Sequence, residues 1–184
     1  MLTEEKILKN AKKFNDSGVK YNVINDELMT LLGEEFIKAP CTTSTNFYNA
    51  YDGGLIQHIL NVTKNAIATN SALPEAKQVD QASLIRVCLI HQIGKVGMFV
   101  EQTSKWHQEN KGEMYKWNED SLSLGTAERS VFYALKSGIA LTEDEVYAIY
   151  NFNSDFASKP MTKTGEKLAA ILKVANMISV IEEK

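Results

Sequence analysis

Cysteine, proline and surplus positive charge are what this chain has least of. Its two cysteines, Cys41 and Cys88, are too few for a disulfide framework. Cys88 sits in an apolar run where a thiol packs as a small hydrophobe. Three prolines in 184 residues argue against a proline-rich, disordered chain. Lys and Arg number 20 against 23 Asp and Glu, giving a formal net charge of -3. The broad basic footprint of a general nucleic-acid binder is therefore missing, and any nucleic-acid contact would have to be local. No stretch reaches the roughly 20 apolar residues of a membrane span, and the amphipathic start MLTEEKILKNAKKF has no apolar signal core. No membrane partner and a cytoplasmic location are the expectations. Internal repeats and low-complexity tracts are also absent.

What is present reads as a globular chain: 44% hydrophobic and 23% charged residues. A chain of this length buries about two thirds of its unfolded surface, enough for one core. Helical signals dominate. Thr3 caps a first helix with Ile7, Leu8, Ala11 and Phe14 on one face, ending near Gly18. Asn25 and Asp26 open a second through Leu28, Leu32, Phe36 and Ile37, with Pro40 as its stop. Residues 1–40 are thus expected to form a helical extension packed on the main body. CTTSTNFYNAYD, 41–52, lacks a helical period and reads as a long loop. Gly53 and Gly54 introduce a helix whose stripe is Leu55, Ile59, Val62 and Ala66, with His58 on its shoulder. Asp80 caps the next, where Leu84, Val87 and Cys88 carry His91 onto the same face before Gly94 ends the run. Two short strands meeting near Asn110 and Gly112 are expected within 103–118. Helices resume with Thr126 as cap and Gly138 as stop, then with a Thr142–Glu145 capping box. After Pro160, a final stripe of Leu168, Ile171, Leu172, Ala175 and Ile178 follows. The expectation is an all-α fold, one helical bundle over 1–184 with a small β-hairpin.

An inward histidine on a helix is more often a core residue than a ligand. Two of them near glycines that allow close backbone approach give more weight to a site. GGLIQHILNV at 53–62 followed by LIHQIGK at 89–95 resembles the HD-domain metal-dependent phosphohydrolase superfamily. NAYDGGL at 49–55, LGTAERSV at 124–131, LTEDEVYAIYNF at 141–152 and KVANMIS at 173–179 extend the likeness. Together they resemble the branch of bacterial HD-domain 3'-to-5' exoribonucleases, over roughly residues 40–180. The resemblance implies an HD-like bundle around a site for phosphoester substrates.

The departures from that pattern fall on the ligand set. His58 and His91 are kept, but Gln92 stands at the signature aspartate and Asn176 at the final one. Thr126 and Phe152 occupy further histidine positions, and another falls near Tyr48. A divalent ion for phosphoester hydrolysis wants carboxylate oxygens, and neutral amides do not offset its charge. The expectation is therefore a catalytically degenerate protein with no cofactor. Its neutral polar pocket, around His58, His91, Gln92 and Asn176 with Thr126 and Phe152, would bind a nucleotide, another phosphorylated small molecule or a protein partner. Lys95 and Arg129 are the candidates for phosphate contact, although Lys95 also suits a helix C-terminus and Arg129 a solvated surface. The alternatives are an active phosphohydrolase holding one divalent transition metal on His58 and His91, and a purely structural or interaction protein. His107 is expected at the surface. Trp106, Tyr115 and Trp117 could stack on bases, but cross-strand packing is the favoured reading.

Overall fold

Nine α-helices, two short 3-10 helices and one two-stranded sheet account for the regular structure among the described residues, which in this computed structural model are 2–121, 124–156 and 161–184. The expected break at Pro160 lies outside them. Helix α1, Glu4–Lys20, starts where Thr3 Oγ1 accepts the Lys6 N–H. The second expected helix is two. Gly33, at φ 67°, ends α2 (Asp26–Leu32), and the chain restarts as α3 (Glu35–Lys38) before Pro40. Only a residue free of a Cβ takes that left-handed conformation cheaply, so the apolar stripe continues across a break that periodicity does not reveal.

The two long central helices are α4, Gly54–Ala72, and α9, Thr164–Glu183; α5, Gln81–Ile90, and α8, Glu143–Asn151, pack beside them. Asp80 caps α5, and the Thr142–Glu145 capping box opens α8. Helix α7, Thr126–Lys136, is capped by Gly125 rather than Thr126, which is its first helical residue. One contiguous core joins Phe14, Leu28 and Phe36 of the first three helices to Leu55, Leu84, Ile149 and Leu168.

The hairpin is present, with strands placed differently from expectation. Strand β1, Phe99–Glu101, pairs antiparallel with β2, Tyr115–Trp117, in the register Phe99 to Trp117 and Glu101 to Tyr115. Between them lies α6, Lys105–Lys111, closed by Gly112 at φ 63°. KWHQENK has no β-branched residue and several helix formers, and Gly112 is a helix stop rather than a hairpin tip. Trp117 packs edge-on against Phe99 at 5.1 Å yet is 60% exposed, and Trp106 is 57% exposed on α6. Cross-strand packing thus accounts for part of Trp117 and none of Trp106.

Arg86 of α5 is the strongest long-range tie. Its Nε donates to Glu145 Oε1 at 2.7 Å and its Nη2 to Oε2 at 3.2 Å. Its Nη1 reaches Tyr21 and Asn22 carbonyls and Nη2 that of Ala140. Five donors meet five acceptors, so a partly buried guanidinium is fully satisfied.

Candidate functional site

The entry into α4 depends on two glycines. Gly53 takes φ 78°, and a Cβ on Gly54 would lie 2.2 Å from the Asn49 carbonyl oxygen. The loop can therefore close tightly over the helix start, which sets His58 one turn in and fully buried. The α5 end is fixed by similar means. His91 is the C-cap of α5, and Gly94 lies in a following 3-10 turn, Ile93–Lys95. A Cβ on Gly94 would stand 2.2 Å from the Thr126 carbonyl oxygen. In this close approach the Gly94 N–H donates to Ser130 Oγ, and Ser130 Oγ donates to the His91 carbonyl.

Around His58 the side chains form a continuous polar network. Its Nδ1 is 2.7 Å from Glu183 Oε2 and its Nε2 is 2.9 Å from Asn176 Oδ1. Gln92 Nε2 lies 3.3 Å from both His58 Nε2 and Asn176 Oδ1. Cys41 Sγ donates to Gln92 Oε1 at 3.5 Å. On the other side, Asn61 Nδ2 donates to Glu183 Oε1 at 2.7 Å, Gln57 to Asn61, and Asn10 to Gln57. The network thus ties α1, α4, α9, the 41–52 loop and Gln92 just after α5. Both ring nitrogens of His58 face oxygens, so an imidazolium donating from each satisfies both and faces the Glu183 carboxylate. A neutral ring protonated at Nδ1 keeps Glu183 and requires Asn176 to turn its amide NH₂ inward.

His91 differs. Its Nδ1 lies 2.7 Å from the Cys88 carbonyl, which fixes the proton on that nitrogen. Its Nε2 is buried and has no hydrogen-bond partner. Burial, then the neighbouring His58, pushes its pKa down to about 3, so it is neutral across the physiological range. The rings of His58 and His91 are 6.5 Å apart, and Phe152 meets His91 edge-on at 5.5 Å. Tyr48 lies against His58 at 4.8 Å, and burial raises its phenol pKa.

The expected site residues fall into three groups. His58, Gln92 and Asn176 are joined by hydrogen bonds, with His91 and Phe152 beside them. Thr126 stands apart, its hydroxyl on Met98 Sδ at 3.7 Å. Of the two phosphate candidates, Lys95 is tied to the loop: its Nζ donates to the Cys41 carbonyl at 2.8 Å and lies 5.9 Å from the Tyr48 ring. Lys95 also lines a cleft of about 270 Å³ with Lys38, Phe99, Tyr115, Glu35 and Glu101. Arg129 is buried rather than solvated. Its Nη2 donates to the Val96 carbonyl and to Tyr133 Oη, while Nε and Nη1 have no partner. His107 is partly buried, its Nδ1 2.9 Å from Ser104 Oγ.

Glu183 and Cys41 were not among the expected site residues. One signal for Glu183 was available: Asn176, Ser179 and Glu183 at spacings of three and four put a polar line on the inner face of an apolar helix. Among the described residues no group of three or more His, Cys, Asp and Glu side chains could hold a metal ion. Comparison of the chain with protein-family models, curated proteins and solved structures finds no match.

Proposed function

We propose that this chain is a catalytically degenerate, HD-domain-like binding module that does not hydrolyse phosphoesters. In this reading the polar network is a lock between helices, and the cleft beside it receives a nucleotide or a similar phosphorylated small molecule. The observation that carries it is the engagement of His58. Both ring nitrogens are occupied, by Glu183 and by the amide pair Asn176 and Gln92. Where the resemblance implies aspartates, neutral amides stand, and they bond to one another and to the histidine. Such a donor set does not fit a divalent hydrolytic ion, which needs carboxylate charge around it, and no catalytic step is assigned to one.

Lys95 connects the lock to the cleft. Two of its three ammonium protons go to the Cys41 carbonyl and, more weakly, to Cys41 Sγ, leaving one toward the cleft. Lys38 adds a second cation, and Phe99 and Tyr115 offer ring surface for a base. The cleft is slightly below the usual range of small-molecule pockets, which suits a mononucleotide better than a polymer. Calorimetric titration with AMP tests this. Binding that weakens on Lys95→Ala and is indifferent to EDTA supports it, and no heat of binding from any mononucleotide contradicts it.

The phosphohydrolase reading retains one favourable observation, the unpartnered Nε2 of His91. It requires release of nitrophenol from bis-nitrophenyl phosphate with a divalent ion, lost in His91→Ala. Absence of turnover across Mg²⁺, Mn²⁺, Ni²⁺ and Zn²⁺ rejects it.

A further inference from the structure

Two open grooves flank the first turn of α9, and their rims differ in charge. The first, of about 660 Å³, runs between the C-terminal end of α4 and α9. Leu73, Ile171 and Val174 give it apolar walls, and Lys77 and Lys167 line it with no carboxylate among the described residues. The second, of about 700 Å³, lies among α7, α8 and α9. Leu135, Tyr147 and Tyr150 form its apolar part, and Glu143, Asp144 and Glu166 outnumber Lys163. Met161 and Thr162 line the first groove while Lys163 and Gly165 line the second, so the grooves are neighbours across that turn.

Apolar side chains stand exposed at both. Leu135, Tyr147 and Tyr150 project at the acidic groove, and Met161 and Val174 at the basic one. The apolar line continues along α9 through Met177 and Ile181, also exposed, at helical spacing from Val174. Contiguous apolar surface of this kind marks an interaction face. The charges indicate the partner. A basic apolar half beside an acidic apolar half is complementary to itself after a two-fold rotation, with each half meeting the other twice.

We infer that this face is a two-fold interface between copies of this chain, the Lys77–Lys167 groove of one copy receiving the Glu143–Tyr147–Tyr150 edge of the other. The contact lies away from His58 and the Lys95 cleft and does not depend on the function proposed above.

Sedimentation velocity on the full chain tests it. The wild-type chain is expected to dimerise below about 100 μM, with a dissociation constant that rises with salt. Val174→Asp, at an exposed position, should give a monomer with an unchanged circular dichroism spectrum. Lys77→Glu with Lys167→Glu in one protein, and Glu143→Lys in another, should each weaken the dimer at least tenfold. Mixing those two proteins should restore dimers at concentrations where each alone is monomeric. A wild-type chain monomeric at about 100 μM overturns the inference. So does a dimer that survives Val174→Asp and both charge reversals.

Discussion

Arg86 with Glu145 and His58 with Glu183 are acid–base pairs that tie distant helices, the first partly exposed on its Arg86 side and the second buried, and they are finished differently. Every guanidinium proton of Arg86 has an acceptor, and Glu145 also takes the Thr142 N–H of its own capping box. Nothing in that pair can change without breaking. The His58 pair runs on through amides, Asn176 and Gln92, whose oxygen and nitrogen ends can exchange, and it sits beside His91, which has one buried nitrogen without a hydrogen-bond partner. The first pair is a fixed brace. The second belongs to a polar network that stops short of full satisfaction, with the buried Nε2 of His91 left beside it.

Breaking the brace should have the largest effect. Arg86→Ala leaves Glu145 buried without its counter-charge and should cost about 3–5 kcal/mol in urea unfolding. Arg86→Lys should recover less than half of that, because one ammonium cannot reach five acceptors. A loss below about 1 kcal/mol would mean that the pair is not the brace described.

Breaking the lock should cost less. Glu183→Ala removes one acceptor from His58 and one from Asn61, and about 2 kcal/mol is expected from the same unfolding measurement. Equal losses for Glu183→Ala and Arg86→Ala would erase the distinction between the two pairs.

His91 sharpens the contrast through pH. Its folded pKa, about 3, is below its ordinary value of 6.5, so the unfolded chain binds the extra proton first. The resulting stability is fully present above about pH 6.5 and is lost as pH falls toward about 3. His91→Leu should flatten the melting-temperature profile between those limits, and a profile as steep as wild type would remove His91 as its source. The smallest stability effect is expected at Lys95. Lys95→Ala should change stability by no more than about 1 kcal/mol while weakening AMP binding roughly tenfold.

Much of this architecture is legible from the residues. The stripe Leu55–Ile59–Val62 placed His58 inward, and Asp80 and the Thr142–Glu145 box marked true helix starts, because capping and periodicity are local rules. The failures are also physical. Gly33 interrupts a helix without interrupting its apolar stripe. The aromatic residues of 106–117 suggest strands, yet the polar helix formers between Ser104 and Gly112 fold locally. Arg86 is visible as a lone cation in an apolar run, but its partner is 59 positions away, beyond any spacing rule. Glu183, in the last turn of α9, is marked in the sequence only by its place on the Asn176–Ser179 line, and the packing of α4 against α9 is what buries it against His58.

In the proposed reading, the hydrogen-bonded network of His58, Gln92, Asn176 and Glu183 binds no metal ion. Metal analysis of protein purified without chelator addresses it most directly. Mn, Fe, Ni and Zn are each expected far below one per chain, with no change on His58→Ala. One bound metal ion per chain, lost on His58→Ala, would contradict it.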